Sequence, residues 1–280
     1  MASRRETVRH IADAIEALYG RREAVAIARS AVMAAEGITL SYLVAHADET
    51  CGIADTERIT SELAAGRPLQ YVTGHCEFRG MDFEVGEGVL IPRPETEELV
   101  EAVINRASDG AAVLDLCTGS GCIAITVAKE VEGSRITAVD ISQRALDYAR
   151  KNSLRAGVAV DFLAGDILHG GVDMLPDGRF DIVVSNPPYV PMSDIVSMHT
   201  NVKDYEPHEA LFVDDRQPLV FYEAIAIIAR RLLREGGWLC LEIYERFGDR
   251  ISDLLRHEGF KDIAVINDAN LKPRIVCCRK

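Results

Sequence analysis

The chain has 280 residues, 31 Lys and Arg against 44 Asp and Glu, and a formal net charge of −13. Hydrophobic residues make up 48% and charged residues 27%; at this length a chain buries roughly 75% of the surface it exposes when unfolded, so an ordinary globular core is available. The acid excess argues against a nucleic-acid grip, which needs clustered Lys and Arg for counterion release, and the longest apolar run, Ala224–Ala229, falls far short of the ~18 residues of a membrane span.

Residues 1–66 read as helices. Ile11, Ile15 and Leu18 share one face, and Gly20 can end the first helix. Glu23–Glu36 follows with Gly37 as its stop, then a short segment around Ser41–His46. Asp55 is placed as an N-cap for a helix through Ala65, with Gly66 at its C-terminal stop. Met1–Gly20 mixes Arg with Glu6, Asp13 and Glu16, a pattern unlike a secretory leader. The seven cysteines include no C-x-x-C pair, so neither a zinc site nor a disulfide framework is expected, and the thiols read as buried residues of a cytoplasmic protein.

From 67 to 94 the character changes. Tyr71, Val72, Phe78, Phe83, Val85, Val89, Leu90 and Ile91 are β-formers interrupted by glycines, which suggests a β-hairpin linker. Pro92-Arg93-Pro94 fixes an extended backbone, and Glu95-Thr96-Glu97-Glu98 opens a helix through about Ala107, with acids favourably placed in the first turn. The domain boundaries that follow are 1–75 (helical), 76–94 (hairpin linker) and 95–280.

Beyond Ala111, strand-type segments (Ala112–Leu116, Ile136–Asp140, Val160–Leu163, Asp181–Ser185, Trp238–Ile243, Ile263–Asn267 and Arg274–Cys278) alternate with helix-type ones. Such alternation specifies a parallel sheet covered on both faces. The last two strands are joined by Asp268–Pro273, too short for a parallel crossover, so they pair antiparallel.

The first strand of this sheet ends at Asp115 and runs through Cys117-Thr118-Gly119-Ser120-Gly121 into a helix. The glycines permit a tight turn and close approach to a ligand. Asp140, closing the second strand, is a ribose-binding candidate, and Asp166 after the third can meet an adenine amino group. The loop alone fits either a nicotinamide dinucleotide or S-adenosylmethionine. Asn186-Pro187-Pro188-Tyr189 follows the fourth strand. The Asn186 side-chain oxygen and the Pro187 carbonyl form a pair of acceptors suited to a planar –NH2 group, with Tyr189 as a stacking surface. Held this way, a poorly nucleophilic amide nitrogen is oriented toward a methyl electrophile.

Asn186–Tyr189, Asp115–Gly121 and Ile91-Pro-Arg-Pro-Glu-Thr-Glu97 together resemble the release factor glutamine methyltransferases, the HemK/PrmC family. Arg67–Gly74 with Phe78, and Tyr205-Glu206-Pro207 with Ala210-Leu211, extend the resemblance along nearly the whole chain. The resemblance implies a Rossmann-like class I S-adenosylmethionine-dependent methyltransferase with a seven-stranded sheet whose last strand is antiparallel. It implies N5-methylation of the glutamine in the Gly-Gly-Gln motif of peptide chain release factors, the protein partner, with residues 1–75 recognising it. It further implies that Cys117–Gly121, Asp140, Asp166, Ile167 and Asn186 hold the cofactor. Asn186, Pro187, Pro188 and Tyr189 would form the glutamine pocket, with Arg93, Glu95 and Glu97 lining it from the linker side. Cys117 stands where many members have Gly, which suits a thiol unless the backbone there needs a positive φ. Ile167 replaces a frequent Trp, and Ile243–Phe247 departs from a Gly-rich stretch. The competing readings are glutamine methylation of a ribosomal protein, N6-adenine methylation of nucleic acid, and a silent cofactor-fold module.

Overall fold

The computed structural model describes residues 2–280, which divide into two compact units. One comprises Met1–His75 together with His199–Tyr205; the other comprises Cys76–Met198 and Glu206–Lys280. The hairpin segment 76–94 therefore belongs with the sheet unit, while a short excursion of the later chain joins the helical unit.

The helical unit starts with α1 (Arg4–Glu36), whose Ser3 and Glu6 form a capping box. Gly20, at φ 73° and ψ 158°, breaks this helix where the sequence places a stop. α2 (Leu40–Ala45) and α3 (Thr56–Ala64) follow, α3 capped by the Asp55 side chain accepting from the Arg58 amide. Ile11, Ile15, Ala28, Val32, Leu43, Ile59 and Leu63 make the core. Tyr71 and Val72, read from sequence as β-formers, lie instead in α4 (Leu69–Thr73). Pro68 precedes that turn and Gly74 closes it, and in so short an apolar run periodicity does not separate helix from strand. α8 (Thr200–Lys203) completes the unit; Tyr19 stacks on His199, and the Tyr205 hydroxyl donates to the Ala65 carbonyl.

The second unit opens with the hairpin β1 (His75–Phe78) and β2 (Met81–Glu84), followed by α5 (Pro94–Ile104). Val89–Ile91, expected to be strand-like, forms no strand. The sheet is built from β3 (Ala112–Leu116), β4 (Arg135–Asp140), β5 (Val160–Ala164), β6 (Phe180–Ser185), β9 (Leu233–Glu242), β10 (Lys261–Asn267) and β11 (Pro273–Arg279). Its order is β10-β11-β9-β6-β3-β4-β5. β5, β4, β3, β6 and β9 run parallel, and β11 is antiparallel to both β9 and β10, as the short final connection requires. β7 (Val190–Pro191) and β8 (Phe212–Val213) add a two-residue bridge too short to leave a sequence pattern. α6 (Cys122–Glu130), α7 (Gln143–Ala156), α9 (Val220–Leu232) and α10 (Gly248–His257) supply the covering helices. The core gathers Leu114, Leu116, Val183, Tyr222, Ile225, Leu239 and Leu241, all fully buried.

Two features of this sheet locate the site. β3 is flanked by β4 and β6, so the chain switches direction of travel across the sheet there, and ligands of open α/β sheets bind beyond the strand ends at that point. The register aligns Leu116 with Val139 and Ser185, and Ser185 with Leu241. The residues that follow, Cys117, Asp140, Asn186 and Glu242, consequently stand in one row along the carboxyl edge.

Candidate active site

Beyond that row the sheet unit has a cleft with about 1110 Å³ of free space including its mouth. Arg93, Cys117, Thr118, Gly119, Ser120, Asp140, Asp166, Ile167, Asn186 and Pro188 of the expected set lie on its wall. Thr96 and Glu209 are there as well. The remaining expected residues stand elsewhere. Gly121 caps α6 from behind, where a Cβ would come within 2.8 Å of Ile125 Cδ1 and 3.1 Å of Ala149 Cβ. The absence of a side chain there is what lets α6 and α7 pack closely. Glu97 accepts from the Arg79 backbone N–H at 2.9 Å, which directs that oxygen to the hairpin, and it is not on the wall. Glu95, half-buried on the first turn of α5, and Pro187, buried within the turn, are not on the wall. Tyr189 is also set back: its ring stacks with Tyr244 at 6.1 Å and its hydroxyl donates to Glu242 Oε1 at 2.9 Å.

The loop after β3 is tightly specified. Cys117 has φ 61°, the left-handed region that the thiol was expected to tolerate only poorly. The Thr118 hydroxyl donates to Asp115 Oδ2 at 2.6 Å, and the Thr118 amide donates to the Val139 carbonyl at 3.0 Å. Burial pushes the Asp115 carboxyl up to about 7, against the opposing bond from Thr118. The Gly119 N–H donates to Asp140 Oδ2 at 2.8 Å and the Gly121 N–H to the Thr118 carbonyl at 2.9 Å. A Cβ at Gly119 would meet nothing within 4 Å, so the loop leaves open space there.

Asp140 is held at both oxygens by backbone, Oδ1 taking the Ser142 N–H at 2.9 Å. Burial raises its pKa despite these bonds, and Glu209 adds to the rise. Asp166 accepts from the Leu168 N–H at 2.9 Å and pairs with His169 Nδ1 at 2.7 Å, and His169 holds its carboxyl below the usual range. Ile167 is buried in the core beneath the cleft. Arg93 is fixed by Glu206, whose Oε1 takes its Nη2 at 2.5 Å and whose Oε2 takes the Ile91 N–H at 3.1 Å. Glu206 belongs to the Tyr-Glu-Pro triplet singled out in the sequence, but its structural task was not apparent there.

These details test which ligand fits. The amides of Thr118, Gly119 and Gly121 are spent within the protein, so they do not form a phosphate cradle. Asp140, Asp166 and Glu209 put three carboxylates around the cleft against the single guanidinium of Arg93. A pyrophosphate would meet that field unfavourably, whereas a ligand carrying an ammonium, a sulfonium and one carboxylate complements it. This donor set suits S-adenosylmethionine better than a dinucleotide.

Sequence reasoning missed Thr96 and Glu242. Thr96 Oγ1 donates to Glu242 Oε2 at 2.7 Å and accepts from Asn186 Nδ2 at 3.2 Å. Burial raises the pKa of Glu242, opposed by Thr96, Tyr189 and the nearby Arg274. Glu242 had a recognisable position, at the end of a buried strand, but its partner lies 146 residues away.

The fold and the switch-point cleft are those of a class I S-adenosylmethionine-dependent methyltransferase. The family model "Methyltransferase small domain" matches residues 94–202, and a solved methyltransferase from Pyrococcus furiosus has the same fold, with a TM-score of 0.54 over 72% of this chain and 90% of that one at 20% identity. A release factor glutamine methyltransferase from Bacteroides thetaiotaomicron is 41% identical over 82% of each chain, and one from Koribacter versatilis is 42% identical over 77% of this chain and 75% of its own. The chain belongs to the release factor glutamine methyltransferases. Among the described residues no helix is long and apolar enough to cross a membrane.

Proposed function

We infer that this chain methylates the N5 side-chain amide of the glutamine in the Gly-Gly-Gln motif of peptide chain release factors. The observation that carries the reading is Asn186 on the wall of the switch-point cleft, with its Nδ2 engaged by Thr96, in a chain 41% identical to a release factor glutamine methyltransferase. Asp140 and Asp166 would hold the ribose and adenine of S-adenosylmethionine, the Cys117–Ser120 loop its methionine portion, and Arg93 its carboxylate. When bound, that cofactor supplies a methyl group on a positively charged sulfur.

The chain's own residues then have three tasks. Asn186 Oδ1, on the wall, accepts one amide hydrogen of the glutamine, and the Pro187 carbonyl, one residue deeper in the turn, accepts the other, turning its nitrogen toward the cofactor side of the cleft. Their pull keeps electron density on nitrogen, which amide resonance otherwise withdraws. Pro187 and Pro188 contribute no N–H donors, and their rings stiffen the turn, so the acceptors are held in place before substrate arrives. No strong base is required, because the amide proton becomes acidic once the nitrogen is alkylated and can leave to water. Residues 1–75 are the proposed surface for the release factor, and the cytoplasm its place of action.

The test is an endpoint reaction with S-adenosylmethionine and, in parallel, a release factor, a ribosomal protein and adenine-containing DNA. Mass spectrometry should locate one methyl group on the Gly-Gly-Gln glutamine. A methyl found only on the ribosomal protein or only on adenine would overturn the reading. Asn186→Ala should lose turnover while retaining affinity for S-adenosylhomocysteine.

A further inference from the structure

We propose that Thr96 and Glu242 are positioning residues that fix the amide of Asn186 in one of its two orientations. The proposal rests on the reading above, in which Asn186 Oδ1 receives an N–H of the substrate glutamine. An asparagine side chain is nearly symmetric in shape, and turning it over would present –NH2 where an acceptor is needed. Something must therefore select the orientation, and the hydrogen bonds behind the cleft do so.

Thr96 has a single hydroxyl proton. Glu242 Oε2, at 2.7 Å, takes it. Oε1 of the same carboxylate receives the Tyr189 hydroxyl at 2.9 Å, so two hydroxyls converge on Glu242 and it acts as the acceptor of both. Thr96 Oγ1 then has only lone pairs left for Asn186, which must answer with Nδ2–H, at 3.2 Å. With Nδ2 turned to Thr96, Oδ1 faces away from it. The flipped amide would set two oxygens with no proton between them against each other, in a place where water is scarce: Thr96 is 2% exposed and Glu242 1%. The first and last residues of Asn186–Tyr189 are thus both referred to one carboxylate. That carboxylate is itself located by the sheet, since Ser185 pairs with Leu241 and the next residue is Asn186, just beyond β6, or Glu242, the last of β9. Thr96 is delivered to the same spot from the first turn of α5.

Three variants separate positioning from bulk packing. Thr96→Val keeps the shape and removes both hydrogen bonds, Thr96→Ser keeps them, and Glu242→Gln leaves one of the two hydroxyls without an acceptor. With release factor as substrate, Thr96→Val should lower kcat about 100-fold, the scale of a misplaced catalytic group. Its affinity for S-adenosylhomocysteine should stay at the wild-type value, and Thr96→Ser should recover most of the rate. A second readout needs no substrate: in protein labelled with 15N-asparagine, one Asn186 side-chain amide proton should be protected from exchange in wild type and Thr96→Ser and unprotected in Thr96→Val. Wild-type kcat or undiminished protection in Thr96→Val would overturn the proposal, as would a Thr96→Ser as impaired as Thr96→Val. Should Thr96→Val not fold, Glu242→Gln is read the same way. A wild-type enzyme that leaves the release factor unmethylated would instead count against the function, and the exchange measurement would still decide on the network.

Discussion

Asn152 on α7 donates from Nδ2 to the Ser120 carbonyl at 3.0 Å, while the same side chain exchanges two hydrogen bonds with the backbone of Glu84, one at 2.7 Å and one at 3.0 Å. One amide thereby fastens the hairpin strand β2 and the loop after β3 to a single helix. The side chain is 2% exposed, so its partners have little access to replacement water. Asn152→Ala removes three bonds and leaves backbone groups unpaired, which should cost about 3 kcal/mol in urea unfolding. Because Ser120 lines the cleft, affinity for S-adenosylhomocysteine should also weaken by about tenfold, or 1.4 kcal/mol. A variant that is destabilised but binds with full affinity would show that Asn152 supports the hairpin alone.

Cys117 is the one residue between Leu116 and Gly119 whose backbone asks for glycine. At φ 61° an L-residue bears a strain of roughly 1–2 kcal/mol. Cys117→Gly removes the strain, but it also loses the packing of a thiol against the core and adds roughly 0.5–1 kcal/mol of unfolded-state freedom. These contributions nearly cancel. Cys117→Ala keeps the strain and loses the thiol, so it should be less stable than Cys117→Gly by about 1 kcal/mol, and Cys117→Val should be worse than either because β-branching is poorly tolerated at positive φ. Thermal unfolding of the three variants would expose a contrary order.

The parallel run of strands and the antiparallel final pair were legible from apolar runs closed by turn signals, and residues 117–120, 140, 166 and 186 stand on the cleft wall at or just beyond the ends of those runs. Local pattern carries that much. Register does not appear in local pattern, and register is what sets Glu242 beside Asn186 and Thr96 behind both. Glu206 was visible as part of a triplet, yet its hold on Arg93 depends on a contact between residues 113 apart. Glu97 illustrates the opposite case. It sits among pocket residues in sequence, but the single step from Thr96, about 100° round α5, turns it to the Arg79 backbone of the hairpin. Tyr71 and Val72 misled because five residues are too few to show a period.

Glu206 is 4% exposed and its two oxygens meet the Arg93 guanidinium and the Ile91 amide. Removing the arginine strands a buried carboxylate, so Arg93→Ala should destabilise by about 3–5 kcal/mol. Glu206→Gln relieves that stranded charge. The double variant Arg93→Ala with Glu206→Gln should therefore be more stable than Arg93→Ala alone, a reversal that independent sites do not give. Cofactor affinity should fall in both, since each lacks the guanidinium in the cleft. Denaturant unfolding of the four proteins measures the coupling, and simple additivity would place Arg93 and Glu206 outside each other's influence.

Asp115 should make stability depend on pH in the direction opposite to a salt-bridged carboxylate. Burial pushes its folded pKa up to about 7, while an unfolded aspartate titrates at about 3.9. Between those values the folded protein keeps a proton that the unfolded chain has released. The contribution is fully present below the unfolded value and is lost as pH rises through about 7, amounting to a few kcal/mol at most. Asp115→Asn is neutral throughout and still offers an acceptor to the Thr118 hydroxyl. The stability of wild type minus that of Asp115→Asn should therefore decline from pH 4.5 to 7.5 and level off above, with ordinary surface acids cancelling in the difference. A flat difference curve would mean that Asp115 is ionised in the folded protein from low pH, with its charge met by donors of the loop rather than by a retained proton.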